Sequence, residues 1–186
     1  MNIRAIDPNH DACPTIEVTR RLQAPAAAIF RILANPEMHL AFDGSEMLRG
    51  AESKEVVRAV GDVFVMNMHF HALGDYQMDN HVVEFEPDRR IAWEPAAGAG
   101  HPQIGTRVGH RWCFRLAPDG PAATFVIETY DCSRAPRDFR QQMNNGTIWI
   151  QSMEESLKRL DELVSRVWPF READGHSPGD GVLDPS

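Results

Sequence analysis

Several features that mark other protein classes are missing from this sequence. No apolar run approaches the roughly 20 residues needed to cross a bilayer, and residues 1–11 carry charges where a signal peptide would be apolar. We therefore expect no membrane span and a cytoplasmic location. Basic residues are outnumbered, with 19 Lys and Arg against 27 Asp and Glu and a formal net charge of -8. Because nucleic-acid binding needs clustered Lys and Arg, we expect no nucleic-acid partner.

Cysteine is scarce, and the signatures of several enzyme classes are absent. The three thiols, Cys13, Cys113 and Cys132, are an odd number without C-x-x-C spacing, which is typical of a reducing compartment and not of a disulfide framework. The sequence contains no G-x-S-x-G, P-loop, H-E-x-x-H or dinucleotide-binding fingerprint. No cofactor is predicted.

What is present is the composition of an ordinary globular domain. With 186 residues, of which 42% are hydrophobic and 25% charged, the chain is long enough to form one self-sufficient core. We expect a single domain over residues 15–168, a loose leader over residues 1–14 and a disordered tail over residues 169–186. An exposed sheet edge would be compatible with a monomer or a homodimer.

The spacing of apolar residues predicts the order of secondary-structure elements. Alternation beginning at Thr15 predicts a strand, and the segment after Pro25 predicts a short helix followed by a second helical turn. Between residues 45 and 134, short alternating runs separated by Gly, Pro and Asp predict a meander of about six strands. Apolar residues three or four apart over residues 148–167 predict a long amphipathic helix.

This order of elements predicts an α+β fold. Strands that follow one another without intervening helices indicate an antiparallel sheet, not β-α-β units. A sheet with one apolar face needs a cover, and the C-terminal helix has the required length and apolar stripe. We expect a curved sheet of about seven strands wrapped around this helix, with two short helices after the first strand. The space between sheet and helix would hold a hydrophobic small molecule.

Five segments carry a resemblance to a known superfamily. They are residues 16–18, 24–36, 82–93, 129–131 and 156–160. Together they resemble the polyketide cyclase/dehydrase and START-related lipid-transport superfamily, which shares the helix-grip fold of the birch pollen allergen. The resemblance implies an internal cavity for a lipid, fatty or polycyclic, polyketide-like ligand. Since members include carriers, receptors and enzymes, the resemblance does not settle activity.

A predicted hairpin supplies many of the candidate ligand-binding residues. If strand 62–72 pairs with strand 76–86 through a turn at 73–75, alternate residues of both strands form an apolar, methionine-rich face, and Asn67 lies opposite His81 on the polar face. Methionine side chains adapt to varied ligands, although they also serve as packed core. With aromatic residues of later elements, the predicted cavity lining is Phe64, Met66, Met68, Phe70, Met78, Asn80, Trp93, Trp112, Phe114, Trp149 and Met153.

Four residues of the polar face raise the question of a metal site. His69, His71, Asp79 and His81 alternate along the two strands, and imidazoles two residues apart share a face. The face is predicted to point outward, and no further ligand converges on it by spacing. No metal site is predicted.

His110 is the main candidate for acid/base chemistry. It lies in phase with the apolar residues of its strand. In one register of the following hairpin, His110 faces Glu128 with Tyr130 nearby, which would form a buried acid/base group. In the alternative phase, Phe125 and Ile127 point inward and Glu128 points outward. The sequence is compatible with both.

Three functional hypotheses follow. The first is a binding module, a carrier or sensor that holds a hydrophobic molecule between sheet and helix. The second is an enzyme of the cyclase/dehydrase kind, in which His110, Glu128, Tyr130 or Asn80 transfers protons on a bound polyketone. The third is an interaction protein whose core is filled by its own side chains, and it predicts no solvent-sized cavity.

Overall fold

The computed structural model of the protein describes residues 15–168. The predicted leader, residues 1–14, and the predicted tail, residues 169–186, lie outside the described residues. The strands are β1 Thr15–Leu22, β2 Leu48–Ala51, β3 Val63–Phe70, β4 Gly74–Glu86, β5 Arg90–Ala97, β6 Arg111–Pro118 and β7 Thr124–Asp131. The helices are α1 Ala26–Leu33, α2 Pro36–Phe42, α3 Arg137–Gln142 and α4 Ile150–Val167, and a 3₁₀ segment spans Asn144–Trp149.

The seven strands form one antiparallel sheet in the order β1-β7-β6-β5-β4-β3-β2. Strands β2 to β7 are a meander in which each strand pairs with the next, and β1 completes the sheet by pairing with β7. Helix α4 packs against α2, β1 and β7. The predicted α+β fold, with a long C-terminal helix covering the sheet, is confirmed.

Helix α4 covers the sheet with one apolar face. Its opposite face carries charge, and Glu155 accepts hydrogen bonds from Lys158 and Arg159 one turn away. The residues that α4 buries are Met153, Ser156, Leu157, Leu160, Leu163 and Val164. None of the helices within residues 15–168 combines the length and the apolar character needed to cross a membrane.

Two elements between β7 and α4 were not predicted. Helix α3 buries none of its residues, so it has no apolar period that would reveal it in the sequence. The 3₁₀ segment contains three residues with positive φ, Asn144 with φ 45°, Asn145 with φ 52° and Gly146 with φ 87°. A Cβ on Gly146 would lie 2.8 Å from Cδ1 of Tyr130. A glycine is therefore needed for this segment to pack directly on the tyrosine ring.

The predicted register of the β3–β4 hairpin is wrong, whereas its two faces are predicted correctly. Asn67 pairs with Gln77 and not with His81, because the chain reverses at residues 71–73 instead of 73–75. The error shifts every pair by four residues. An even shift leaves each side chain on its original face of the sheet. The methionine-rich face therefore points toward α4 as expected.

Candidate binding cavity

A cavity of about 230 Å³ lies between the concave face of the sheet and the elements that cover it. Strands β3 to β7 supply one wall, and α2, the loop after α2, the 3₁₀ segment and α4 supply the other. The cavity does not fit the hypothesis of a filled core, which predicts no such space. Ten predicted ligand-binding residues line it: Phe64, Met66, Met68, Met78, Asn80, Trp93, Trp112, Phe114, Trp149 and Met153.

Phe70 is the predicted lining residue that lies elsewhere. It shares the phase of Phe64 and Met66, but it is the last residue of β3 and its side chain is not part of the cavity wall. Phe70 is 45% exposed. Alternation assigns a face to each residue of a strand but does not say how far along the strand the covered surface extends.

The three predicted catalytic residues, His110, Glu128 and Tyr130, also line the cavity. The register of β6 and β7 pairs Phe114 with Glu128, so the pairing of His110 with Glu128, one of the two alternatives left open by the sequence, does not form. The phase that this alternative gave to Glu128 does occur, since its side chain is 4% exposed and Phe125 points to the opposite, exposed side. As in the β3–β4 hairpin, the observed register differs from the considered one by an even number of residues, so the same side chains face the cavity.

Aromatic side chains form one group at each end of the cavity. The first, called the His39 cluster, consists of His39, Phe42, Phe64, Trp93 and Phe114. The ring centroids of His39 and Phe64 lie 5.4 Å apart, and those of Phe64 and Trp93 lie 5.3 Å apart. Trp93 stacks on Phe114 at 5.8 Å, and Phe42 lies edge-on to Phe114 at 6.3 Å. Contacts of this kind favour a rigid, well-packed wall.

The second group, called the Tyr130 cluster, consists of His110, Trp112, Tyr130, Phe139 and Trp149. Trp112 lies 4.6 Å from Tyr130 and 5.7 Å from Trp149, measured between ring centroids. His110 stacks on Phe139 of α3 at 5.3 Å and lies 5.7 Å from Tyr130. Helix α3 and the 3₁₀ segment, which the sequence did not reveal, therefore build this end of the cavity.

His39 is a site residue that sequence reasoning missed. Its Nε2 donates a hydrogen bond to the carbonyl oxygen of Leu33, at 2.8 Å. Burial lowers the pKa of His39 from 6.5 to about 4, although this hydrogen bond and the charge of Asp43 act in the opposite direction. The imidazole is thus neutral near pH 7. Helix α2 is too short to show a helical period of apolar residues. His39 and Phe42 are three residues apart and therefore share one face of the helix, and this spacing was the signal in the sequence that could have indicated His39.

Glu128 lies between the two aromatic clusters. It pairs with Phe114 of the His39 cluster and precedes Tyr130 by two residues on the same face of β7. Burial raises the pKa of the Glu128 carboxyl well above its usual range, and the charge of Asp43 adds to this effect. The carboxyl group therefore keeps its proton to higher pH than an exposed glutamate and can donate a hydrogen bond.

His110 is a neutral base in the same cavity. Burial lowers the pKa of His110 from 6.5 to about 4, and the charge of Glu94 only partly opposes this shift. Within residues 15–168, His110 Nδ1 has no hydrogen-bond partner. Asn80 differs, since its Nδ2 contacts the carbonyl oxygens of Phe64 and Met78, both at 3.3 Å. Asn80 is therefore held by the backbone of the hairpin.

The loop after α2 closes the cavity against α4. The Gly44 amide donates to Ser156 Oγ at 2.9 Å, and Arg159 donates to the Asp43 carbonyl oxygen. The Asp43 carboxylate accepts hydrogen bonds from the amide and hydroxyl of Ser45. A Cβ on Gly44 would lie within 2.6 Å of the Ser156 amide nitrogen, so a larger residue would push the loop away from the helix.

The outward histidines do not form a metal-binding group. Throughout residues 15–168, no group of three or more His, Cys, Asp or Glu side chains is arranged to hold a metal ion. His69 Nδ1 instead lies 2.7 Å from the carboxylate of Asp75. In the observed register Asp75, not Asp79, is the residue opposite His69.

Comparison with known proteins establishes the fold. No family model matches the chain. An uncharacterised protein of Mycobacterium tuberculosis is 32% identical over 108 residues, which are 58% of this chain and 43% of that protein, so the match spans less than half of the relative's length. A START superfamily protein of Mycobacterium smegmatis superposes with a TM-score of 0.56 at 15% identity, over 82% of this chain and 98% of its own. The chain has the helix-grip fold.

A plant enzyme shares this helix-grip fold. Norcoclaurine synthase of Thalictrum flavum, solved in complex with a transition-state analogue, has a TM-score of 0.53 at 14% identity, over 83% of this chain and 95% of its own. At such identities the likeness shows the fold and leaves activity open. The resemblance found in the sequence is thus confirmed as regards the fold.

Proposed function

We propose that the protein binds an apolar small molecule in this cavity, as a carrier or a sensor. The observation that carries the proposal is the wall, which is built mainly of methionine and aromatic side chains around about 230 Å³. Binding to such a wall is favourable because it removes apolar ligand surface from water, and the flexible methionine side chains adapt to the shape of the ligand. The same fold holds a small molecule in norcoclaurine synthase, which supports the proposal.

The energetic cost of the cavity also supports a binding role. A cavity in the core costs the fold the dispersion contacts that a filled interior would give its wall side chains. Larger side chains at a few wall positions could remove this cost. A ligand that fills the space offsets it, because the lost dispersion contacts are restored when the molecule binds.

Native mass spectrometry of gently purified protein tests the proposal directly. We expect a stoichiometric adduct that organic extraction releases as a hydrophobic compound. In Met78→Trp the added volume lies in the cavity, so the adduct should be lost. Gln77→Trp is the matched control, because Gln77 is the preceding residue of β4 and points to the outer face. An apo mass, together with no thermal stabilisation by a panel of fatty and polyketide-like compounds, would refute ligand binding.

An enzymatic role is the second candidate, and one observation favours it. Glu128 offers a carboxyl whose pKa burial raises, and His110 offers a neutral imidazole in the same cavity, which are the kinds of group that general acid/base chemistry on a polyketone requires. His110→Ala and Glu128→Gln separate the candidates. An enzyme would lose turnover in both variants by far more than any loss of ligand affinity accounts for, whereas a carrier has no turnover to lose.

A further inference from the structure

Three buried side-chain atoms in the described part of the chain have no hydrogen-bond partner among residues 15–168. They are His110 Nδ1, Glu128 Oε2 and Trp149 Nε1. All three side chains line the same cavity. Native proteins contain few such atoms, because leaving a buried donor or acceptor without a partner is costly. Their concentration in a single cavity indicates that a bound molecule completes their hydrogen bonds.

His110 and Trp149 lie beside Tyr130, and Glu128 lies between the Tyr130 cluster and the His39 cluster. The Tyr130 ring centroid is 5.7 Å from that of His110 and 6.2 Å from that of Trp149. Glu128 is two residues from Tyr130 on the same face of β7. The methionines of β3 and β4 lie across the sheet, beyond β5 and β6. A ligand with one polar end and an apolar body would match this separation.

The charges of the wall select against anionic ligands. Among the described residues that line the cavity there is no Lys or Arg, whereas Asp43 and Glu128 are both present. A carboxylate bound here would have no counter-ion among the lining residues and would share the cavity with the Asp43 carboxylate. This disfavours free fatty acids and other organic acids.

The hydrogen-bonding character of the three groups indicates an oxygen on the ligand. Trp149 Nε1 can only donate, so the ligand must present an acceptor. The Glu128 carboxyl can donate or accept, and His110 Nδ1 does one or the other depending on its tautomer. A ligand hydroxyl group can both donate and accept a hydrogen bond, and a ligand carbonyl oxygen accepts from whichever of these groups donate.

We propose that the ligand is an uncharged molecule of one or two rings bearing a hydroxyl or carbonyl oxygen, and that His110, Glu128 and Trp149 supply hydrogen-bond partners for its polar atoms. This inference rests on the ligand-binding function proposed above. An apolar cavity of about 150 Å³ accommodates benzene. At about 230 Å³ the present cavity has room for a second ring, but not for a long acyl chain.

Three compounds with one ring system test the proposal. Naphthalene, β-naphthol and β-naphthoate are titrated at about pH 7 and followed by isothermal calorimetry. We expect β-naphthol to bind about tenfold more tightly than naphthalene, which corresponds to one or two net hydrogen bonds, and β-naphthoate to bind more weakly than either. Equal affinities for naphthol and naphthalene, or tightest binding by naphthoate, would overturn the proposal.

Trp149→Phe tests the assignment of the polar end. The variant removes the N–H and keeps an aromatic ring, so we expect the affinity for β-naphthol to fall about fivefold while naphthalene binding changes little. Trp93→Phe is the matched control at the other end of the cavity, and it should leave the ratio of the two affinities unchanged. A ratio that is lower in both variants, or in neither, would contradict the assignment. Circular dichroism verifies that both variants are folded.

The outcomes separate this inference from the proposed function. If naphthalene binds and the hydroxyl group adds nothing, water satisfies the three atoms and only the inference fails. If none of the three compounds binds and purified protein carries no hydrophobic adduct, the ligand-binding function fails as well.

Discussion

The two ends of the cavity are built from similar residues and differ in how their polar atoms are satisfied. Each end contains tryptophan and a histidine whose pKa burial lowers to about 4. In the His39 cluster, His39 donates to the Leu33 carbonyl oxygen, so the fold itself supplies the partner. In the Tyr130 cluster, His110 Nδ1 and Trp149 Nε1 lack a partner among the described residues.

This difference indicates a division of roles. The members of the His39 cluster belong mostly to the main hydrophobic core, which also includes α1 and the buried face of α4. Tyr130 and Met153 belong to a second, smaller core cluster with Trp112, Phe139 and Trp149 packed against it. We infer that the first end mainly stabilises the fold, while the second is completed when a ligand binds.

Matched tryptophan substitutions should give the largest difference between the two ends. Trp93 is 8% exposed within the main core, and we expect Trp93→Ala to lower the free energy of unfolding by about 4 kcal/mol. Trp149 is only partly buried, so Trp149→Ala should cost about 2 kcal/mol. Urea unfolding measures both. Equal costs would show that the two ends contribute alike to stability.

The pH dependence of stability should reveal His39. Between its folded pKa of about 4 and its unfolded value of 6.5, the unfolded chain binds more protons, so stability falls as pH decreases through this range. The contribution of His39 amounts to about 3 kcal/mol at the acidic limit. Urea unfolding between pH 4.5 and 7 should give a flatter profile for His39→Gln, whose amide can still donate to Leu33. An unchanged profile would contradict the assigned pKa.

Alanine substitutions at two glycines with nearly equal φ distinguish the cost of backbone strain from the cost of displacing the Tyr130 ring. A Cβ on Gly120, with φ 82°, has no atom within 4 Å, whereas one on Gly146, with φ 87°, meets the Tyr130 ring. We expect Gly120→Ala to cost about 1 kcal/mol and Gly146→Ala about 2 kcal/mol, measured by urea unfolding. Only Gly146→Ala should weaken ligand binding. Similar effects of both substitutions would show that the Tyr130 cluster tolerates displacement.

Glu128→Gln should give the smallest change in stability, and the change should depend on pH. Because the folded pKa of Glu128 is raised, the native state binds more protons above the unfolded value of 4.5, and the wild type loses stability as pH rises above that value. Glutamine removes this loss. We expect the stability of the variant relative to the wild type to increase as pH rises. A gain independent of pH would contradict the buried, protonated carboxyl.

The types and faces of the main elements were predictable from the sequence, and the pairings between them were not. Alternation assigned Met66 and Met78 to the inner face, and both are there. It could not choose between registers that differ by an even number of residues, as for Asn67 and for Glu128, because each such register buries the same face. Helix α3, which buries no residue, left no pattern to detect.

The sequence by itself determined the order of the main elements, an antiparallel sheet covered by a long C-terminal helix, and the inward direction of most cavity residues, because hydrophobic periodicity is a property of neighbours along the chain. The tertiary structure alone decided which inward polar atoms find partners. His39 reaches the carbonyl of Leu33, and Thr124 donates to the carbonyl of Ala24 across 100 residues, while His110 and Trp149 are brought together at an end where no described residue completes their hydrogen bonds. Such partnerships depend on distances between separate elements, which only packing in three dimensions defines.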